Sequence, residues 1–271
     1  MTPTRPPVAV PLTRRSALVL AGASIAGLVM FLWPLLITPA AGQSRVDQPF
    51  VFMALMPVVV LVVIAELSEG GLDSKALAML GVLSAINAAV RPLGAGVAGV
   101  ELVFFLIIIG GRVFGAGFGF VLGCTSLFAS ALLTSGVGPW LPFQMLCAAW
   151  VGMGAGLLPR RVTGRGEIAL LVAYTVVAAY AYGLLMNLSS WPFTLGIAIP
   201  GEQDSLALVP GDPVLDNLQR FGVFTLLTSF WGWDTGRAIT NALLVTTLGP
   251  AVLATLRRAA RRARYLPKEN S

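Results

Sequence analysis

Apolar stretches separated by short breaks rich in glycine, proline or charge run along most of this chain. Seven of them approach the roughly 17 to 25 residues that a helix needs to cross a bilayer: Ser16–Ile37, Phe50–Ala65, Lys75–Val90, Val113–Leu133, Pro142–Leu158, Ile168–Leu188 and Gly236–Leu256. An eighth stretch, Ala98–Gly111, is short but too apolar to lie in water. Counting it predicts an all-α integral membrane protein of about eight transmembrane helices, with both termini on one side of the bilayer.

Small residues recur at every fourth position in the two spans that flank the polar-aromatic segment Gly136–Met145. They are Gly115, Gly119 and Gly123 before that segment, and Ala148, Gly152 and Gly156 after it. A spacing of four places each trio on one helical face, where helix backbones can approach closely in lipid. The segment between the two spans is predicted to form a rigid cap over a cavity in the membrane.

Composition agrees with a membrane protein, because 56% of the 271 residues are hydrophobic and only 11% are charged, against about 25% in a soluble domain. The net charge of +6 does not indicate a nucleic-acid partner, since most basic residues flank apolar spans. With the N-terminus in the cytoplasm, the inner segments hold Arg5, Arg14, Arg15, Lys75, Arg112, Arg160, Arg161, Arg165 and the cluster Arg257–Lys268. The outer segments hold only Arg45, Arg91, Arg220 and Arg237, as the positive-inside rule requires. This topology and attraction to anionic lipid explain the arginines of the last helix, with a docking role as the alternative.

The first span leaves two interpretations open. Arg14 and Arg15 precede it as in a twin-arginine export signal, and Thr38–Ala40 resembles a cleavage site. The span is longer than the apolar core of a signal, about 7 to 15 residues, so we expect a retained anchor.

No catalytic residue, metal site or cofactor is predicted. Histidine is absent, and Cys124 and Cys147 lie inside apolar spans, which leaves neither a histidine-based acid/base site nor a Cys/His zinc site. A phosphate-binding Gly-x4-Gly-Lys-Ser/Thr loop is also absent. A transport protein with this sequence would have to draw its energy from a partner.

Three segments carry a family resemblance: Ala85-Ile-Asn-Ala-Ala-Val-Arg-Pro92, Val103–Gly115 and Trp140–Met145. Together they resemble the substrate-binding S components of energy-coupling factor (ECF) transporters, in particular the actinobacterial and cobalamin-type members. The resemblance is good over residues 75–160 and looser at 191–193 and 228–241. It implies an S-component-like six-helix core in residues 71–271, with a long outer loop at 189–235, preceded by a two-helix N-terminal hairpin in residues 1–70.

The span count and charge distribution predict a multi-pass plasma-membrane protein with both termini in the cytoplasm, and the resemblance implies its function. It would capture a vitamin-like solute outside the cell and deliver it through a transmembrane coupling protein with two ATPase subunits. The narrower resemblance suggests cobalamin, although the same fold class also handles riboflavin, folate, thiamine and related precursors.

The candidate substrate-binding residues are polar or aromatic side chains near the predicted outer helix ends: Asn87, Arg91, Trp140, Phe143, Gln144, Trp191 and Trp233. Charged groups near hydrocarbon normally face a cavity or a partner, and an amide at the start of an apolar helix needs hydrogen-bond partners. For Arg91, an ion pair with Glu101 stays open as an alternative. For the tryptophans, anchoring at the membrane interface also stays open as an alternative.

By resemblance, the coupling protein docks on an Ala-x3-Ala face of the first core helix, here Gly81, Ala85 and Ala89, with Gly115, Gly119 and Gly123 as second candidates. Such faces also pack a chain against itself. Arg112 is expected at a cytoplasmic turn, serving orientation or partner contact.

Two other functions compete with solute capture. A membrane enzyme acting on a lipid would use Glu66, Glu69 and Asp73, which have no basic or histidine partner nearby in the sequence. An autonomous secondary carrier would be expected to show an inverted repeat, and none is evident.

Overall fold

The computed structural model describes residues 12–36, 58–59, 62, 74–94, 99–193 and 206–264. All regular elements of these ranges are helices. They are α1 (Arg14–Leu36), α2 (Ser74–Val90), α3 (Val103–Phe114), α4 (Ala116–Leu133), α5 (Leu141–Leu157), α6 (Gly164–Ser190), α7 (Val214–Thr225), α8 (Thr235–Thr247) and α9 (Gly249–Arg264). Short 3-10 turns follow α2 (Arg91–Gly94) and α6 (Trp191–Phe193), and a π-helical segment, Leu226–Asp234, joins α7 to α8.

Four of the described helices are long and apolar enough to cross a membrane, and the bent pair made by α7–α8 and α9 would be a fifth. The all-α integral membrane fold is therefore confirmed. The predicted span Phe50–Ala65 lies almost entirely outside the described residues, as do Thr38–Ala40 and residues 194–205 of the predicted outer loop.

The predicted span Val113–Leu133 is wrong at its start, because a break at Gly115 separates α3 from α4. Gly115 has φ +114°, a conformation that side chains with a Cβ rarely adopt. The short stretch Ala98–Gly111 yields α3, whose 12 residues are nearly all buried. An apolar helix of this length is typical of a buried core segment, which explains why it is short and yet strongly apolar.

The sequence of the predicted outer loop 189–235 is compatible with a short amphipathic helix around Val214–Phe224, and α7 (Val214–Thr225) forms there. The structure differs in that helix continues beyond α7 and in that the predicted span Gly236–Leu256 is bent. Helix begins again at Val214 and continues through the π-helical segment to Thr247, so residues 214–235 are helical. The chain then turns by 64° into α9. Pro250 stands in the first turn of α9, where its missing N–H removes no intrahelical bond.

The glycine faces of α4 and α5 pack directly against each other. A Cβ on Gly119 would meet the backbone of Gly152, and one on Gly123 would meet the backbone of Ala148. Gly115, Gly119 and Gly123 are buried in this contact. They are therefore not available to a partner protein, and their role as second docking candidates is corrected to internal packing.

Helix α1 packs on the same core. The ring of Phe31 lies edge-on to Phe143 at 5.0 Å between centroids, and Trp150 Nε1 donates to Ser24 Oγ at 2.9 Å. The division into an N-terminal hairpin, residues 1–70, and a core, residues 71–271, remains a prediction, because little of the hairpin's second helix is described.

A buried ionic cluster ties together the C-terminal end of α3, the start of α6 and α9. Arg112 Nε donates to Glu167 Oε1 at 2.7 Å, and its other nitrogens donate to the carbonyls of Leu158, Pro159 and Val162. Arg257 donates to the same Glu167 oxygen at 2.6 Å. Arg112 is only 4% exposed and is therefore not available to a partner protein. The alternative of a partner contact is corrected to an internal contact that links these helices.

Candidate functional site

A cavity of about 430 Å³ opens where α2 ends and α3 begins. Its walls come from the 3-10 turn after α2, the turn between α4 and α5, the C-terminal third of α6, and the junction of the π-helical segment with α8. Pro92 ends α2 at this point, since proline disfavours helical backbone in the residue before it. Arg91 is thereby placed on the cavity wall.

Arg91 forms the cationic side of the cavity. Its guanidinium donates to Gln144 Oε1 at 3.1 Å and to Ser130 Oγ at 3.4 Å. Both acceptors are neutral and also line the cavity. Among the described residues, Arg91 has no carboxylate partner.

Arg237 forms a second charged group on the cavity wall, with two carboxylates around one guanidinium. Its Nε donates to Glu101, and its Nη1 donates to Asp234 Oδ1 at 2.7 Å. The guanidinium carbon also lies 4.8 Å from the ring centroid of Tyr182 and 5.6 Å from that of Phe104. Glu101, Tyr182 and Arg237 all line the cavity.

Neighbouring polar side chains hold this cluster in place. Asn241 donates to the carbonyl of Glu101 at 2.6 Å, and its Oδ1 accepts the backbone N–H of Phe105 at 2.9 Å, which satisfies one free donor in the first turn of α3. Ser229 Oγ donates to Asp234 Oδ2 at 2.8 Å. A Cβ on Gly183 would collide with the Asp234 carboxylate, so glycine is needed for this side chain to fit between α6 and the π-helical segment.

Two tryptophans form an aromatic rim. Trp140, just before α5, is 48% exposed, and Trp233, in the π-helical segment, is 47% exposed. Both line the cavity. Among the described residues, the site thus combines one arginine without a carboxylate partner, a second arginine paired with two carboxylates, and two accessible aromatic faces.

A family model described as "ECF transporter, substrate-specific component" matches residues 75–256, which is about two thirds of the chain. The chain belongs to this family. All cavity-lining residues fall within the matched range. No curated protein and no solved structure matches the chain.

Membership of the ECF substrate-specific components assigns this chain to transport subunits that work with a coupling protein and ATPases. With its membrane-spanning helices, it also supports a multi-pass plasma-membrane protein. The match does not distinguish the actinobacterial or cobalamin-type subgroup, which remains a prediction.

Four of the seven predicted substrate-binding residues of this ECF component meet at the cavity: Arg91, Trp140, Gln144 and Trp233. The alternative ion pair between Arg91 and Glu101 does not form, and Glu101 pairs with Arg237 instead. Their role in binding a solute remains a prediction.

The other three predicted residues do not line the cavity. Phe143 is buried against Phe31 of α1. Trp191 is fully buried, with its Nε1 donating to the carbonyl of Leu206 at 2.8 Å and its ring packed on Phe221. Asn87 is fully buried, and its side-chain amide makes no hydrogen bond to any described residue.

Sequence analysis missed the contributions of Tyr182, Asp234 and Arg237 to this site. A signal was present, because Asp234, Arg237 and Asn241 are spaced by three and four residues and so share one helical face in an apolar region. Glu66, Glu69 and Asp73, the candidates for an alternative enzyme, lie outside the described residues.

Proposed function

We propose that this ECF component captures a vitamin-like solute in the cavity between Arg91 and Arg237. The observation that carries this proposal is the grouping of Arg91, Glu101, Gln144 and Arg237 around an open cavity inside an apolar bundle. Ionisable groups at membrane depth are costly and normally mark a substrate path or site. Half-exposed tryptophan rings at the same cavity offer stacking surfaces for a planar solute.

The volume of the cavity favours a small solute. About 430 Å³ lies within the range of roughly 300 to 1,000 Å³ that is usual for small-molecule sites. A vitamin or precursor with one ring system suits this space. Cobalamin, which the narrower resemblance suggests, needs more space than the described residues enclose, so we favour a smaller molecule.

The cavity is proposed to open to the cell exterior, with both termini in the cytoplasm. The positive-inside rule supports this orientation, because the arginine-rich helix α9 packs beside Arg112 and Glu167 at the C-terminal end of α3, whereas Glu101 lies before its N-terminal end. A solute would then enter from outside, and delivery inward would require the coupling protein and the two ATPase subunits.

The proposed docking surface for the coupling protein is the face of α2 formed by Gly81, Ala85 and Ala89. All three residues are exposed, and a Cβ on Gly81 would meet nothing within 4 Å. A flat face of this kind allows close approach of another helix. Because Gly115, Gly119 and Gly123 are buried, this surface is the one docking candidate of the two that is accessible.

The solute-binding proposal is tested by purifying the chain in mild detergent and identifying retained small molecules by mass spectrometry. The identified molecule is then used in uptake experiments with vesicles that contain the chain together with a coupling protein and ATPases. We expect ATP-dependent uptake that requires all components. Uptake by the chain alone, driven by an ion gradient, would replace this proposal with a secondary carrier.

The docking proposal is tested with Ala85→Phe. This change should reduce ATP-driven uptake and recovery of the coupling protein by more than tenfold, while solute binding to the isolated chain stays the same. Ala173→Phe, at an exposed position of α6, is the matched control. Equal complex formation by both variants would remove α2 as the docking face.

A further inference from the structure

We infer that the solute carries an anionic group, a carboxylate or a phosphate, and that Arg91 binds this group. The inference rests on the proposed function and adds the chemical class of the solute. Its basis is the uneven distribution of charge around the cavity.

Arg91 differs from four other arginines that are buried or partly buried in the described bundle. Each of these four makes an ion pair with a carboxylate of the chain. Arg112 and Arg257 both pair with Glu167, Arg220 pairs with Asp212, and Arg237 pairs with Glu101 and Asp234. Within the described part of the chain, Arg91 donates hydrogen bonds only to the neutral oxygens of Ser130 and Gln144. Since a guanidinium offers five N–H donors, three remain for a ligand.

An uncompensated guanidinium inside a membrane bundle is unfavourable unless a counter-ion or water reaches it. The cavity allows a ligand to do so, because Arg91 lies on its wall. Arginine also presents paired N–H groups that match the two oxygens of a carboxylate or phosphate. An anionic solute would therefore supply the partner that the described chain does not.

The remainder of the cavity directs an anion to Arg91 instead of Arg237. The Arg237 cluster holds two carboxylates, Glu101 and Asp234, for one guanidinium, so an anion there would be repelled. Near Arg91, by contrast, α5 begins without a side-chain cap on its first turn. The partial positive charge of a helix N-terminus adds to the preference for an anion on that side.

Two variants test this inference in different ways. Arg91→Gln removes the cation. Gln144→Glu keeps Arg91 and places a carboxylate of almost the same shape where the amide oxygen now lies 3.1 Å from the guanidinium. Both should remove the preference for an anionic solute, the second by supplying an internal competitor. Arg258→Gln and Gln219→Glu change the net charge equally at exposed positions and serve as controls.

Binding is measured by calorimetry on the full chain in nanodiscs with three matched pairs of probes: nicotinate and nicotinamide, pyridoxine 5′-phosphate and pyridoxine, and flavin mononucleotide and riboflavin. The first pair tests a carboxylate and the other two test a phosphate. In at least one pair, the anionic member should bind about 10- to 100-fold more tightly, the range expected for a hydrogen bond to a charged group. This difference should disappear in Arg91→Gln and Gln144→Glu and persist in both controls.

Equal or tighter binding of the neutral members would overturn the inference, as would an anion preference that survives Arg91→Gln. If no probe binds, the co-purified molecule decides. An acid that Arg91→Gln fails to retain would support the inference, and a molecule without carboxylate or phosphate would overturn it. A neutral molecule that still undergoes ATP-driven uptake would overturn only this inference and leave the proposed function in place.

Discussion

The close contact between α4 and α5 predicts that one substitution, glycine to alanine, changes stability in opposite directions at different positions. At Gly119 and Gly152 the new methyl group would run into the backbone of the facing helix, and at Gly152 it would also lie 2.9 Å from Ile107 Cγ2. At Gly222 in α7, which is exposed, nothing lies within 4 Å of the added carbon. The same chemical change is therefore obstructed at two positions and unobstructed at a third.

The magnitudes follow from two effects of opposite sign. Alanine stabilises a helix by about 1 kcal/mol relative to glycine, chiefly through lower backbone entropy in the unfolded chain. Overpacking a well-packed core costs about 1 to 3 kcal/mol. The upper end applies here, because the obstructing atoms belong to backbone that cannot change rotamer. Gly119→Ala and Gly152→Ala should each destabilise by about 2 kcal/mol, whereas Gly222→Ala should stabilise by up to about 1 kcal/mol.

Reversible unfolding by sodium dodecyl sulfate in dodecyl maltoside micelles measures these differences. The double variant should be less destabilised than the sum of the single variants, because one separation of α4 from α5 accommodates both methyl groups. If Gly119→Ala and Gly222→Ala shifted the unfolding free energy equally, the direct backbone contact between α4 and α5 would be refuted.

Three further changes test other parts of the structure. Arg112→Gln should destabilise the chain by about 3 kcal/mol, the lower end for breaking a buried ion pair, because Arg257 still binds Glu167. An unfolding free energy equal to that of Arg258→Gln in the same assay would contradict this. Trp191→Phe removes the hydrogen bond to the carbonyl of Leu206 and should lower the unfolding free energy by about 1 to 2 kcal/mol, while solute affinity stays within about twofold. A larger loss of affinity in calorimetry would indicate that Trp191 takes part in solute binding. Gly183→Ala should displace the Asp234 carboxylate and lower the unfolding free energy by about 1 to 3 kcal/mol. An unfolding midpoint unchanged from the parent chain would contradict the close packing of Gly183 against Asp234.

Sequence periodicity predicted the small-residue faces correctly but could not decide what they contact. Gly81 with Ala85 and Gly119 with Gly123 have the same spacing of four, and only the first pair is exposed. The difference arises from the other side chains of each helix. Leu83 and Asn87 of α2 face the bundle and turn the small face of α2 away from it, whereas α4 is apolar and buried on most of its surface.

The break at Gly115 and the bend at Leu248 were also not predictable, since both fall inside continuous apolar stretches. The membrane-embedded part of the chain contains many glycines, and a positive φ at one of them leaves no distinct mark in the sequence. Apolar stretches on both sides of such a break resemble one continuous span. The helical content could be predicted from the sequence, but the division into α3 and α4 and the turn into α9 depend on tertiary packing.

The residues that line the cavity were predicted in part. Arg91 and Gln144 were identified because polar groups at the ends of apolar helices need partners, and the two are in fact hydrogen-bonded to each other. Arg237 was assigned to topology alone, although its spacing from Asp234 and Asn241 placed all three on one face. Aromatic residues were the least informative, since Trp140 lines the cavity and Trp191 is a buried packing residue.

The central claim is that this ECF component binds its solute in the cavity at Trp140 and Gln144. Its most direct test is the dissociation constant of the co-purified molecule for the double variant Trp140→Ala/Gln144→Ala, compared with Trp231→Ala, which removes a 74% exposed tryptophan outside the cavity. We predict an increase of more than tenfold for the double variant and an unchanged value for Trp231→Ala. Affinity within twofold of the parent chain for the double variant would contradict the location of the site.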